Sequence, residues 1–392
     1  MKNKKKLLFC IENLRQGGIS KGIESLISEI DHDKYEINLF CINRTDGPYK
    51  ESLKAHLTYK QNRILYYLST FYKEHSGVEK YLLLFFKAFN KILKKMTTFD
   101  LFEYHLECER KKIETDNYDI IIAYSEGIIT KFVSKIRNKK KIAWIHIDYK
   151  RYLEYYQGVN ELPIYNAFDY IIIPSKFSKE SFIDVFPSLK ERVLAIPNLL
   201  NIGNISKRTN EPLNDTEDFS NELFTILSIG RICSEKGFVK IPKIVNELRK
   251  RGNNFKWYII GSGSEIETGH LKQEIKKERV EDFVILIGAK DNPYPYIKNS
   301  DLVAVTSISE TFCYVIGEAT IIGTPIIATN FGTVEEVLNR QYGIISDIDS
   351  FADNIHNIMN NKYLYSELKT NIKKYKHNNN IVLEQLYSIF NK

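Results

Sequence analysis

Two alternations run along this chain. Short apolar runs, each the length of one buried strand, are separated by stretches whose apolar positions fall at helical spacing. Leu7–Ile11 predicts a first strand. A loop with Gly17 and Gly18 follows, and Ile23, Leu26, Ile27 and Ile30 then line one face of a helix. Tyr35–Ile42, Tyr118–Ala123, Lys141–Ile145, Tyr170–Ile173 and Arg192–Ile196 predict further strands. Residues 199–222 are polar, lack periodicity and read as a linker. The rhythm then resumes with Leu223–Ile229, Phe255–Ile260, Phe283–Ile287 and Asp301–Val305. A helix closing at Gly323 and a weaker βα tail come next. Near the end, Val382, Leu383, Leu386 and Ile389 again show helical spacing. Strands alternating with helices predict parallel sheets, so the expected class is α/β with two Rossmann-like domains. Their expected bounds are 1–198 and 199–377, with a last helix over 378–392.

One region breaks the rhythm. Residues 50–117 are irregular and aromatic-rich, and within them YLLLFFKAFNKILKKM, at 81–96, is strongly amphipathic. Leu82, Phe85, Phe86, Phe89, Ile92 and Leu93 share one face; Lys87, Lys91, Lys94 and Lys95 share the other. Two readings fit. The apolar face packs on its own domain and leaves the lysines in water, or the helix lies on anionic lipid.

Composition narrows the picture. A chain of 392 residues is too long for one ordinary domain, and 43% hydrophobic with 27% charged residues is globular. No apolar run is long enough to span a bilayer. The opening MKNKKKLLFCIEN has too short an apolar stretch for a signal peptide and reads as a strand. Cys10, Cys41, Cys108, Cys233 and Cys313 form no C-x-x-C pair, which fits reduced thiols. A cytoplasmic location follows, with attachment to the inner face of the cell membrane as its peripheral variant. The net charge of +7 is uneven: residues 1–198 hold 33 Lys and Arg against 25 Asp and Glu, and the remainder is nearly balanced. The first half should face an anionic partner, a membrane surface or lipid diphosphate rather than nucleic acid.

The candidate chemistry concentrates in DLVAVTSISETFCYVIGEATIIGTPIIATN, at 301–330. It predicts strand, loop, helix, strand. Glu310 lies in the loop past the strand, and Glu318 lies eight positions on, inside the helix. At helical spacing Glu318 falls about 60° from Val315, beside a stripe of Val315, Ala319 and Ile322, where an acid needs a partner. The amides of Thr311, Phe312, Cys313 and their neighbours up to Val315 are expected to open the helix. Helix N-termini suit phosphate. A carboxylate for a polyol, amides for an anion and a second carboxylate for a polyol match the order of sugar, diphosphate and ribose in a nucleotide sugar.

This stretch resembles the E-x7-E signature of glycosyltransferase family 4, the retaining, nucleotide-sugar-dependent enzymes of GT-B fold. S-x-x-E-T-F, Glu-Ala and G-T-P-I-I-A-T around the two acids make the likeness specific, and it extends over most of the chain. G-R-x-x-x-E-K-G, at 230–237, resembles the family's phosphate clamp, which gives Arg231 and Lys236 to the diphosphate. G-S-G-S, beginning at Gly261, follows a strand where a turn needs glycine anyway. GAKDNPYPY corresponds to the segment beside the nucleobase, with backbone between Ala289 and Asn292 reading the base edge; Tyr294 and Tyr296 equally suit packing. WIHID places His146 at a strand's carboxyl end, where related enzymes carry a His near the transferred sugar, and Asp148 is placed to orient it or the acceptor. The loop with Gly17 and Gly18 would let backbone approach the diphosphate.

The resemblance implies two domains facing across a cleft, acceptor side first and donor side second, with the last helix crossing back to the first domain. It implies hexosyl transfer from a nucleotide sugar, most readily UDP-linked, to a cell-surface glycan or lipid-linked saccharide. Glu310, His146, Arg231 and Lys236 would be catalytic. Glu318 would hold the ribose. No cofactor or metal would be required, since protein cations stabilise the leaving diphosphate. Thr311 departs from the Gly of many relatives, which leaves the donor sugar open. Rival readings remain. The first βα turn is a poor dinucleotide fingerprint, and Asn43 and Arg44 supply no acid for a ribose. Asp31/Asp33 and Asp347/Asp349 are D-x-D strings of the kind that hold a metal in GT-A transferases, but both read as exposed turns. A non-catalytic GT-B subunit, an epimerase and a phosphorylase share the fold; the intact acids and cations argue against the first.

Overall fold

The computed structural model describes residues 4–15, 17–43, 53, 58–70, 77–155, 160–213, 219 and 223–392. They form two compact units. The first comprises Met1–Pro174, Lys179–Leu199 and Asn380–Lys392, and the second Ser175–Ser178 and Leu200–Asn379.

The first unit holds a seven-stranded parallel sheet. Its strands are β1 (Lys5–Ile11), β2 (Tyr35–Cys41), β3 (Thr58–Gln61), β4 (Ile120–Ala123), β5 (Lys140–Trp144), β6 (Tyr170–Ile173) and β7 (Val193–Ala195). Their order is β3-β2-β1-β4-β5-β6-β7. Both faces are covered, which is why these strands read as continuous apolar runs. Ile23, Leu26, Ile27 and Ile30 are buried as the periodicity predicts. The helix Asn380–Asn391 packs on this sheet through Leu386, Ile389 and Phe390. Lys5 Nζ donates to the Phe390 carbonyl at 2.8 Å, and the Asp31 amide donates to the Tyr387 hydroxyl at 2.9 Å. β3 was not legible, because its four residues TYKQ carry no apolar run.

The amphipathic region forms a helix over Gly77–Thr97, but not with the apolar face inward. Leu83 alone is buried, while Phe85 is 61% and Ile92 58% exposed. Its neighbours, Arg63–Ser69 and Leu101–Thr115, hold the edge between the two faces. Phe86 stacks on Tyr67 with ring centroids 5.1 Å apart, and Tyr66 donates to Glu79 at 2.6 Å. Asn90 accepts from the Leu101 amide at 2.7 Å, and Lys94 pairs with Asp100 at 2.8 Å. These edge contacts fix the helix's rotation and leave the aromatic stripe in solvent.

The second unit holds a six-stranded parallel sheet: β8 (Phe224–Ile229), β9 (Phe255–Ile260), β10 (Val284–Gly288), β11 (Leu302–Val305), β12 (Ile326–Thr329) and β13 (Gly343–Ser346). The order is β10-β9-β8-β11-β12-β13. The expected linker is not one throughout. Ile202–Arg208 is a helix, capped by the Asn201 side chain at the Asn204 amide, and Leu200 and Ile205 join the core around β11. A single turn pair is too short to show apolar periodicity. Residues 214–218 and 220–222 of that stretch, and Arg44, lie outside the described residues.

Candidate active site

In the second sheet, strand order reverses between β8 and β11, and ligands of open α/β sheets bind where the loops diverge at such a point. The loop after β8 carries Arg231 and Lys236; the loop after β11 carries Glu310. Neighbouring strands therefore bring together residues 74 positions apart, and Lys236 Nζ donates to Glu310 Oε1. Ser307 Oγ donates to the same oxygen at 2.7 Å. The pair is mostly enclosed, with 26% of the Lys236 side chain and 11% of the Glu310 side chain exposed. Burial alone would lower the Lys236 ammonium, but the Glu310 carboxylate outweighs it and raises the pKa.

The two loops are tied by further bonds: Ile308 N donates to Glu235 O at 2.7 Å and Thr306 Oγ1 to Lys236 O at 2.9 Å; from the loop after β12, Thr333 Oγ1 donates to Glu310 O at 2.9 Å. Gly237 is left-handed (φ 65°), and a Cβ there would sit 2.2 Å from the Thr306 carbonyl oxygen, so only glycine allows this approach. Arg231 is exposed on the rim of the same loop. Gly261 is explained by packing: a Cβ would lie 1.8 Å from the Gly230 carbonyl oxygen.

The signature helix is shorter than expected. It spans Tyr314–Ile322, so Thr311 and Phe312 belong to the loop and Cys313 is the N-cap residue. Gly323 closes it in left-handed conformation, its amide bonded to Ala319 O at 2.9 Å. Glu318 is only 1% exposed and is buried like Ile316, Ala319 and Thr320 on the other side of the helix, whereas Val315 and Ile322 beside it are half-buried. The helix is covered on more sides than one stripe allows, because Leu200 packs where Gly317 leaves room. Burial, with Glu310 adding to it, pushes the Cys313 thiol up and keeps it neutral.

Ala289 and Asn292 line a cavity of about 500 Å³ with Arg208, Glu211 and Lys290. The Asn292 side chain is engaged within the protein, donating to Arg208 O at 2.9 Å and Glu211 Oε2 at 2.6 Å. Tyr294 and Tyr296 are buried packing residues.

In the first unit, His146 follows β5. Its ring lies against Tyr124, centroids 4.7 Å apart, and its amide donates to Glu126 Oε2 at 3.2 Å. Burial lowers the imidazole pKa to about 3, so the ring is neutral at physiological pH. The Glu126 carboxyl is raised by burial. Asp148 accepts from Ser181 Oγ at 2.6 Å and so braces its own loop. Gly17 is the N-cap residue of Gly18–Glu29, in extended backbone with open space around it. Asp31 of the first D-x-D string pairs with Lys34 at 2.6 Å. Sequence reasoning missed Thr306, Thr333 and Glu126. Their partners are far along the chain, and nothing local marks them.

The family described as Glycosyl transferases group 1 matches residues 211–377. That match covers less than half of the chain. Lys236, Glu310 and Glu318 all lie in it; His146 and Gly17 lie outside. An uncharacterized glycosyltransferase of Methanocaldococcus jannaschii is 26% identical over 66% of this chain and 65% of its own length. Three curated relatives, this one included, are spanned over 65%, 48% and 66% of their length, less than two thirds in each. The amylovoran biosynthesis glycosyltransferase AmsD of Erwinia amylovora is 23% identical over 88% of this chain and 86% of its own. The structure of Anabaena HepE in complex with UDP-glucose matches with a TM-score of 0.73 at 17% identity, over 98% of this chain and 99% of that one. At that identity the likeness is one of fold. The group 1 domain and the sheet that precedes it together make a GT-B fold.

Proposed function

We propose that this chain is a retaining hexosyltransferase of glycosyltransferase family 4. It takes its sugar from a nucleotide donor, most readily UDP-linked, and passes it to a saccharide, including one carried on a lipid, in cell-surface polysaccharide assembly. The observation that carries the reading is the Lys236–Glu310 pair at the β8/β11 switch point, one loop away from the buried Glu318. The group 1 domain and a fold-mate crystallised with UDP-glucose support it.

The chemistry follows from charge. The bond from anomeric carbon to diphosphate breaks, and negative charge grows on the leaving oxygen. In this reading Lys236 supplies the cation that answers it, and Arg231 on the rim adds a planar fork for the distal phosphate. Lys236 and Ser307 both donate to Glu310 Oε1, and Oε2 accepts from sugar hydroxyls. Glu318 takes the ribose hydroxyls. His146, neutral and donor-capable, positions the sugar. The diphosphate receives the acceptor's proton, and the new bond forms on the face the leaving group vacates.

Release of UDP from UDP-sugars, with and without saccharide, tests the activity. Calorimetry tests the roles: Glu318→Gln should weaken UDP and UDP-sugar alike, and Glu310→Gln should weaken only UDP-sugar. Both variants binding UDP-sugar like the parent overturns the assignment.

A further inference from the structure

Eight of the sixteen large hydrophobic side chains exposed among the described residues lie on one helix, Gly77–Thr97. Val78, Leu82, Phe85, Phe89, Ile92 and Met96 recur at alternating steps of four and three, so they form one straight stripe along it. Exposure rises to 76% at Val78 and 79% at Met96. Tyr81, 73% exposed, flanks the stripe. A contiguous apolar strip of this kind marks a docking surface, since water-facing helices rarely carry one.

The charges beside it select the occupant. Lys91 and Lys95 are exposed along one flank, Lys80 further round, while Lys94 is held by Asp100. Glu79 is the helix's only acid, and it accepts from Tyr66. A second copy docked stripe to stripe would bring lysine flanks together with no acid to answer them. An anionic bilayer answers them: the aromatic stripe enters the boundary between headgroups and acyl chains, and the lysines meet lipid phosphate. No helix among the described residues is long and apolar enough to cross a membrane, so this contact lies in the plane of the surface.

We propose that Gly77–Thr97 docks the chain on an anionic leaflet through Phe85, Phe89, Ile92 and Met96, with Lys91 and Lys95 at the headgroups. The aromatic face, not the lysine face, enters the lipid. The inference stands apart from the transferase reading, because it requires no sugar chemistry.

The test is flotation of the full chain with phosphatidylglycerol–phosphatidylcholine vesicles and with phosphatidylcholine alone. The parent should float with the first and not the second. Phe85→Glu with Phe89→Glu should reduce the bound fraction about tenfold or more, as should Phe85→Ser with Ile92→Ser; all three side chains are exposed, so folding is spared. Lys91→Glu with Lys95→Glu should weaken binding and flatten its salt dependence. UDP release in the same preparations should be unchanged, so that loss of docking and failure of the transferase reading are told apart. No flotation of the parent, equal flotation with neutral vesicles, or aromatic variants that float like the parent overturns the proposal. So does a dimer in sedimentation that the aromatic variants dissolve without any flotation.

Discussion

Replacing Lys236 with Ala removes the cation that Glu310 holds. Two costs follow, and they are separable. The first is structural. Breaking a fully buried pair costs about 3–5 kcal/mol, and an exposed one contributes about 0–1 kcal/mol. With roughly a quarter of Lys236 and a tenth of Glu310 exposed, and Ser307 still donating to the carboxylate, the loss should be about 1–3 kcal/mol. In a unit of this size that lowers Tm by about 2–10 °C. The second cost is catalytic. Losing a placed donor to a developing oxyanion costs about 10²–10³ in rate, or about 3–4 kcal/mol. Steady-state UDP release at saturating acceptor, run well below the lowered Tm, reads it. A cycle with Glu310→Gln separates the two functions of the lysine. If Lys236 only neutralises Glu310, Lys236→Ala adds nothing once Glu310→Gln is present. If it meets phosphate, the double variant should fall about tenfold or more below Glu310→Gln alone. Unchanged donor kcat/KM in Lys236→Ala refutes the phosphate assignment outright.

Gly237→Ala forces a side chain into left-handed backbone against the Thr306 carbonyl, and should cost about 2 kcal/mol or more in thermal denaturation while lowering donor kcat/KM; parent-like melting contradicts the close approach. His146 has a folded pKa of about 3 against an ordinary value near 6.5, so the unfolded chain binds its proton first. Its contribution is therefore full above about pH 6.5 and lost as pH falls toward 3, at up to about 1.4 kcal/mol per unit. Urea melts of His146→Gln should show a shallower acid slope than the parent. Activity should survive EDTA and gain nothing from Mn²⁺, because the cations that answer the leaving group are side chains; loss in EDTA with rescue by Mn²⁺ reverses that view.

The strands were legible because parallel sheets covered on both faces favour short apolar runs such as Leu7–Ile11, bounded by loop residues. β3 was not, since TYKQ at a sheet edge has no such run to show. Periodicity identified the amphipathic stretch at 81–96, within the helix Gly77–Thr97, but not which face turns inward. That was decided by Tyr66, Tyr67 and Asp100, whose side chains grip its edge from two other helices. In the site, Lys236 and Glu310 were readable as residues. Their contact was readable only through the topology that makes β8 and β11 neighbours. Periodicity put Glu318 beside a buried stripe but did not show how deep it lies, since part of the helix's cover, Leu200 against Gly317, comes from outside its own βα unit.

The helix Asn380–Asn391 also sets a timetable for synthesis. It supplies buried side chains beneath β1 and β2, and the Lys5–Phe390 bond joins residues 385 positions apart. Every residue of the second sheet is translated before that helix exists. At about 5–20 residues per second, the first unit waits roughly ten seconds or more with part of its apolar face uncovered. The second sheet, made wholly of later segments, meets no such delay once its own strands have emerged. The unit begun first is thus the one finished last, and chaperone demand on the ribosome should centre on Tyr35, Ile37 and the apolar surface around them.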